Sequence, residues 1–231
     1  MQTDGRWRDA QCVEREFWSG LAGAGEAEIQ RVLDANRECA ARLRSWLPVP
    51  PRSCLEVGAG PLGIGMIGFL SEIESRVAID PLFPVEVRCA EPLRGHIDSL
   101  RRGISFLVAS GERIPLTDES VELVVCCNVL DHVRDAGSVL EEMRRVIRPT
   151  GSLFLEVDTF SIAGLLKWHT LTKHLHAREI LVRAHPYRFL ERHVSALLNK
   201  HGFTVKLREG HHGLSGLIGA SRVSSFLAIR Q

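Results

Sequence analysis

The sequence predicts an α/β fold, an open and doubly wound sheet of about seven strands, mostly parallel, with helices on both faces. Two observations predict it: short apolar runs alternate with helical patterns from residue 53 onward, and the first run ends in a cluster of glycines. Since such strands pair in parallel through right-handed crossovers, ligands are expected in the crevice at the carboxyl ends of the strands.

The individual elements follow from the spacing of apolar residues. A helix is predicted over 26–47, where apolar residues recur at helical spacing before a proline-rich segment. Phe17 and Trp18 precede it and could form a lid or a packing brace, of which the brace is favoured. The other predicted elements are strands near 53–57, 76–80, 104–108, 121–127, 151–157, 203–207 and 223–229, and helices near 63–72, 86–101, 136–147 and 189–201.

Size and composition favour a single domain. The chain has 231 residues, of which 45% are apolar and 25% charged, an ordinary globular composition. One domain is therefore expected over residues 1–231. Its predicted parts are a helical extension at 1–50, a cofactor-binding core at 53–157, an insertion at 159–192 that shapes the substrate pocket, and a helix with a strand hairpin at 193–231.

Charge and hydropathy exclude several function classes. A net charge of +1 argues against a broad nucleic-acid-binding surface. The charge-free stretch at 57–70 is too short and too rich in glycine to span a bilayer, and the charged N-terminal segment lacks the order of a signal peptide. We therefore expect a cytoplasmic protein with reduced cysteines and with neither a nucleic-acid nor a membrane partner.

The segment Cys54-Leu-Glu-Val-Gly-Ala-Gly-Pro-Leu-Gly63 is typical of a buried strand that breaks into a glycine turn. Gly58 and Gly60 lack the Cβ atoms that would keep a ligand away from the backbone, and the N–H groups of the turn are expected to point at that ligand. The same glycine pattern also occurs in strand-to-helix connections that bind nothing. The turn alone leaves both interpretations open.

Two carboxylates narrow the choice of ligand. Asp80 ends the next apolar run, about twenty residues beyond the glycines, where a carboxylate can accept hydrogen bonds from both ribose hydroxyls. Glu56 lies inside the first strand, at a position that is normally apolar in dinucleotide-binding proteins. A cofactor with a cationic amino-acid tail would give that carboxylate a partner. The pattern therefore favours S-adenosylmethionine over NAD.

Four motifs in order resemble the class I S-adenosylmethionine-dependent methyltransferases, particularly the small bacterial-type, methyltransferase-11-like group. They are the Glu-x-Gly-x-Gly turn, the acidic motif that contains Asp80, a loop at 110–120 similar to the adenine-side loop, and a strand at 124–133 similar to the fourth strand with its active-site edge. The resemblance covers roughly residues 53–157. It implies a Rossmann-like sheet whose last strand is antiparallel.

The resemblance also implies which residues hold the cofactor. Glu56 would lie near its amino end, Asp80 would hold the ribose hydroxyls, and Asn128 would close the floor beside the sulfonium. Ser110 stands where many relatives have an aspartate, so the adenine amino group would be held less firmly, or by Glu112 and the backbone alone. The full set is Glu56, Gly58, Ala59, Gly60, Asp80, Pro81, Gly111, Glu112, Asn128 and Val129.

Two histidines are candidate catalytic residues. His132 follows the fourth strand, where it could accept the acceptor's proton, or else begin a helix together with Asp131 as its cap. His185 belongs to a His-Pro-Tyr-Arg-Phe stretch similar to one that relatives have before the last helix, where Pro186 could instead start the helix. A metal site is disfavoured, because the histidines lack the His-x-x-x-His spacing with a helical glutamate.

The acceptor is expected to be a small molecule. Residues 167–192 carry an excess of four positive charges, which suggests an anionic or carrier-tethered acceptor, although a solvated basic face would have the same composition. A monomer or homodimer is expected. Two other functions stay open: an NAD-dependent oxidoreductase or epimerase, and a non-catalytic partner protein that keeps the fold.

Overall fold

The computed structural model describes residues 2–22, 25–84, 86, 89–160, 188–210 and 222–231. Its helices are α1 (Gln2–Ala22), α2 (Glu26–Trp46), α3 (Leu93–Arg101), α4 (Ala136–Val146) and α5 (Glu191–Lys200), with a short 3-10 helix at Met66–Phe69. Its strands are β1 (Ser53–Val57), β2 (Ser75–Ile79), β3 (Ile104–Leu107), β4 (Val121–Cys127), β5 (Ile147–Phe160), β6 (Phe189–Leu190), β7 (Phe203–Gly210) and β8 (Arg222–Arg230).

The strands form one sheet in the order β3-β2-β1-β4-β5-β8-β7, with β6 paired to the end of β5. Strands β1 to β5 are parallel, whereas β8 is antiparallel to both β5 and β7. This arrangement confirms the predicted Rossmann-like sheet and its antiparallel last strand. The strand order reverses between β1 and β4, so the carboxyl ends of these two strands border the crevice where such sheets bind ligands.

Helices cover both faces because side chains alternate along the buried strands. Leu55 and Val124 belong to a core with residues of α4 and α5 on one face. Cys54 and Val125 belong to a core with residues of α2 and the 3-10 helix on the other face. The doubly wound arrangement is therefore confirmed, and it fixes the two strand ends that position the site.

The predicted helix at 63–72 is wrong, because only Met66–Phe69 is helical there and its geometry is 3-10. Every residue from 60 to 68 is buried, and glycines stand at 60, 63, 65 and 68. A segment without a solvent-facing polar side gains little from amphipathic packing, and each glycine makes a helix less favourable. The segment instead takes its shape from contacts with β1.

Other boundaries differ in smaller ways. Helix α3 begins at Leu93, directly after Pro92, rather than at 86, because proline suits the start of a helix and not its interior. Strand β5 is longer than predicted and runs from Ile147 to Phe160. Most of the predicted insertion lies outside the described residues. Within the described segments, every helix falls short of the length or apolar character that a membrane span requires.

Candidate functional site

The glycine turn, residues 58–60, is bonded to the end of β2. The N–H groups of Gly58 and Ala59 donate to the carbonyl oxygen of Ile79 at 2.8 and 3.2 Å, and that of Gly60 donates to Asp80 Oδ2 at 3.1 Å. The expectation that these N–H groups point at a ligand is therefore wrong. The backbone of the turn can lie along the end of β2 because Gly58 and Gly60 have φ values of +74° and +72°, which other residues rarely adopt.

Asp80 lies beside this turn, as the sequence predicts, and Pro81 follows it with an exposed side chain. The Asp80 carboxylate is 7% exposed and accepts hydrogen bonds from the N–H groups of Gly60 and Leu82 at 3.1 and 2.8 Å. Burial raises its pKa from 3.8 to about 6, against the lowering effect of the two N–H groups, and nearby Glu14 raises it further. Each carboxylate oxygen can accept one more hydrogen bond.

Glu56 holds the protein's own backbone. It is 2% exposed, and its two oxygens accept hydrogen bonds from the N–H groups of Met66 and Ile67, both at 3.0 Å. Burial raises its pKa to about 7, although the two hydrogen bonds oppose that effect. A Cβ on Gly65 would lie only 2.3 Å from a Glu56 oxygen, so the backbone passes very close to the carboxylate. Its contact with the cofactor stays a prediction.

The β4 loop, residues 128–134, meets the glycine turn. Asn128 begins the loop with a φ of +54°, and its N–H donates to the carbonyl oxygen of Glu156 at 2.8 Å. A Cβ on Gly58 would lie 2.2 Å from Val129 Cγ2, so the valine lies directly on the glycine. The structure therefore brings together the predicted residues Gly58, Asn128 and Val129 at the point where the strand order reverses. A φ in this left-handed region is uncommon for residues other than glycine, and asparagine tolerates it better than most.

The predicted adenine-side residues, Gly111 and Glu112, lie in the loop after β3. Gly111 packs between β1 and α4, where a Cβ would lie 3.1 Å from methyl groups of both Val57 and Val139. Glu112 Oε1 accepts a hydrogen bond from the Arg134 N–H at 2.9 Å. The Glu112 bond holds the loop after β3 against the β4 loop, and Gly111 holds it against β1 and α4, so both residues have a structural function. Their contact with adenine stays a prediction.

His132 lies between two carboxylates. Its Nδ1 is 3.1 Å from Glu14 Oε1, and its Nε2 is 3.6 Å from Asp131 Oδ2. Both ring nitrogens thus face carboxylate oxygens of the protein itself, an arrangement that orients the imidazole, and the role of His132 as general base stays a prediction. The predicted capping role of Asp131 is wrong, because α4 is capped by Asp135, whose Oδ1 accepts the Gly137 N–H at 2.9 Å. His185 lies outside the described residues.

Helix α1 supplies contacts that the sequence did not predict. Gln11 Nε2 donates to the carbonyl oxygen of His132 at 3.4 Å, and Trp18 Nε1 donates to Glu14 Oε2 at 3.1 Å. A Cβ on Gly60 would lie 2.9 Å from Trp18 Cη2, so the indole rests on the glycine turn. The available signal was the spacing of Gln11, Glu14 and Trp18 along one helix face, but nothing local indicates what that face contacts.

Part of the chain is similar to a known protein family. A family model described as a methyltransferase domain matches residues 55–155. An uncharacterized methyltransferase of Mycolicibacterium vanbaalenii is 30% identical over 161 residues, which cover 68% of this chain and 58% of that protein. One from Mycobacteroides abscessus is 35% identical over 104 residues, which cover 45% of this chain and 39% of that protein. The chain thus spans less than two thirds of the length of either relative.

A solved structure has the same fold. It is the 1,6-didemethyltoxoflavin-N1-methyltransferase of Burkholderia thailandensis, determined with 1,6-didemethyltoxoflavin and S-adenosylhomocysteine bound. Its TM-score is 0.63 at 18% sequence identity, over 96% of this chain and 88% of that one. At this identity the likeness extends to the fold alone.

Proposed function

Residues 55–155 carry a methyltransferase domain of the class I, S-adenosylmethionine-dependent family, and on this premise we propose that the chain transfers a methyl group from S-adenosylmethionine to a small-molecule acceptor. One observation carries the proposal: the Asp80 carboxylate lies against the glycine turn at the point where the strand order reverses. An acid at the end of β2 beside a close-approach turn suits a ribose in that crevice.

The charges of the site fit this cofactor. Glu14, Asp80 and Asp131 all lie around the glycine turn and the β4 loop, and Asp80 and Asp131 are buried. S-adenosylmethionine carries a sulfonium and an ammonium group, so its binding would offset the repulsion among these carboxylates. These three carboxylates therefore fit a cationic cofactor better than NAD, whose pyrophosphate is anionic.

Methyl transfer requires few catalytic groups from the protein. When bound, S-adenosylmethionine supplies an electrophilic methyl group for direct displacement by a lone pair of the acceptor. The residues of this chain would then hold the acceptor in line and exclude water. Val129 and Asn128 would border the reacting atoms, and the covering helix α1 would limit the access of solvent. His132 is retained as a candidate catalytic residue that contacts the acceptor.

The finer features of the function are proposals from the sequence. The excess of positive charge over 167–192 suggests an acceptor with a carboxylate or phosphate, or one tethered to an acidic carrier protein. A monomer or homodimer, a cytoplasmic location, and the catalytic role of His185 are proposed on the same basis. A screen of acceptors that differ only in the presence of a carboxylate would test the charge preference.

Calorimetric titration of the purified chain with S-adenosylhomocysteine tests the proposal without a known acceptor, with NAD as the parallel control. We expect a Kd on the order of micromolar for the former and no binding heat for the latter, in keeping with usual substrate affinities. Binding of NAD alone would move the assignment to an oxidoreductase or epimerase. Binding of neither would favour a non-catalytic partner protein.

A further inference from the structure

One face of α1 spans the two loops that border the crevice. Gln11, Glu14 and Trp18 are three and then four residues apart, so they share a face of the helix. At one end of this face Gln11 and Glu14 reach His132 of the β4 loop. At the other end Trp18 reaches Gly60 of the glycine turn. The helix therefore lies across the carboxyl ends of β1 and β4.

Trp18 offers an apolar surface at the glycine turn. Its indole is half-buried and packs against the core cluster that contains Leu62 and Ile64, while Phe17, the next residue back along α1, is 54% exposed. Glu14 already accepts the indole N–H, and the ring edge that carries Cη2 and Cζ2 already contacts Gly60, so what the ring offers a ligand is its remaining apolar surface. Flat, rigid aromatic surfaces of this kind give large contact areas to ligands.

Glu14 connects the indole to the rest of the site. Its Oε2 accepts the Trp18 Nε1 hydrogen bond at 3.1 Å, and its Oε1 lies 3.1 Å from His132 Nδ1. Its charge also reaches Asp80, whose pKa it raises. One carboxylate thus fixes the indole over the turn and adds negative charge where a cationic ligand would bind.

We propose that α1 covers the cofactor site and that Trp18 is a further cofactor-binding residue. Glu14 positions Trp18 and attracts the cofactor's positive charge. The inference rests on the proposed function, because it takes the cofactor to lie along the glycine turn. It extends that function to an element outside the region 55–155 that the family model matches.

Substitution of Trp18 tests the contact. In the 231-residue chain, Trp18→Ala is expected to raise the Kd for S-adenosylhomocysteine by about tenfold or more, whereas Arg15→Ala, at an exposed position of the same helix, should leave it unchanged. Trp18→Phe keeps an aromatic ring and should lose less affinity. If the cofactor contacts Trp18, its binding should change the tryptophan fluorescence of the wild-type chain. Trp18→Phe should abolish that change, although three of the four tryptophans remain. Thermal melts of each variant verify folding.

Glu14→Gln separates charge from shape. S-adenosylmethionine carries one more positive charge than S-adenosylhomocysteine, so the variant should reduce the preference for the former by about threefold or more, a modest factor because the Glu14 side chain is 20% exposed and water screens its charge. Glu16→Gln, on the exposed side of α1, is the matched control.

Two results would overturn the inference. If the wild-type chain binds S-adenosylhomocysteine, and both Trp18→Ala and Trp18→Phe keep the wild-type affinity and fluorescence response, α1 does not contribute to the cofactor site and the proposed function stands. If the wild-type chain binds neither S-adenosylmethionine nor S-adenosylhomocysteine, both the inference about α1 and the proposed function are wrong.

Discussion

Replacement of Asp80 by Ala is expected to weaken the binding of S-adenosylhomocysteine by at least about tenfold. A buried carboxylate that accepts hydrogen bonds from ribose hydroxyls contributes roughly 1.5–3 kcal/mol for each bond before compensation, and about 1.4 kcal/mol corresponds to a factor of ten. The variant also removes the acceptor for the Gly60 N–H, which loosens the turn itself. Calorimetric titration measures the loss directly.

The control for this variant is Asp98→Ala, which removes an exposed carboxylate from α3 at the same cost in net charge. Asp80→Asn adds a second comparison, because it keeps the side-chain shape and one acceptor oxygen while it removes the charge. Wild-type affinity in both Asp80 variants would mean that the ribose lies elsewhere.

The same carboxylate gives cofactor binding a pH dependence. Because burial raises the Asp80 pKa to about 6, the free protein loses this anion as the pH falls below that value. Ribose hydroxyls donate best to the ionised form, so affinity should rise as the pH increases through about 6 and level off above it. Titrations at pH 5 and 7.5 should differ for the wild type and differ less for Asp80→Asn.

The sequence predicted the elements whose signal is local. Strands β1 and β4 were predicted at their observed bounds, since each is an apolar run ended by glycine or a polar residue. Asp80 was placed correctly for the same reason, because the end of an apolar run also ends a strand. The meeting of Gly58 with Val129 could not be found in this way, because it depends on the pairing of β1 with β4.

Long-range contacts account for what was missed. The apolar content of the segment 60–68 suggests a helix, but the N–H groups of Met66 and Ile67 donate hydrogen bonds to the Glu56 carboxylate of β1 instead. Helix α1 has few apolar residues to mark a buried face, and its contacts with the site are made by polar atoms of Gln11 and Glu14 and by one indole. Such contacts become visible only when the fold brings distant segments together.

Replacement of Glu56 by Ala is expected to lower the free energy of unfolding by about 2–6 kcal/mol, measured by urea denaturation without cofactor. The loss leaves the buried N–H groups of Met66 and Ile67 without acceptors, and each unsatisfied group costs about 1–3 kcal/mol. Glu56→Gln keeps one acceptor oxygen and should lose about half as much. Glu74→Ala, at an exposed position before β2, should change stability little.

The penalty for losing Glu56 should also depend on pH. Its pKa is 4.5 in the unfolded chain and about 7 in the folded one, so the folded state binds more protons between these values and wild-type stability falls as the pH rises through them. That contribution amounts to about 3 kcal/mol in total and is absent from Glu56→Gln. The difference in unfolding free energy between wild type and Glu56→Gln should therefore narrow from pH 5 to 7.5. A difference that widens instead would mean that the two N–H groups outweigh burial and that the folded protein favours the ionised carboxylate.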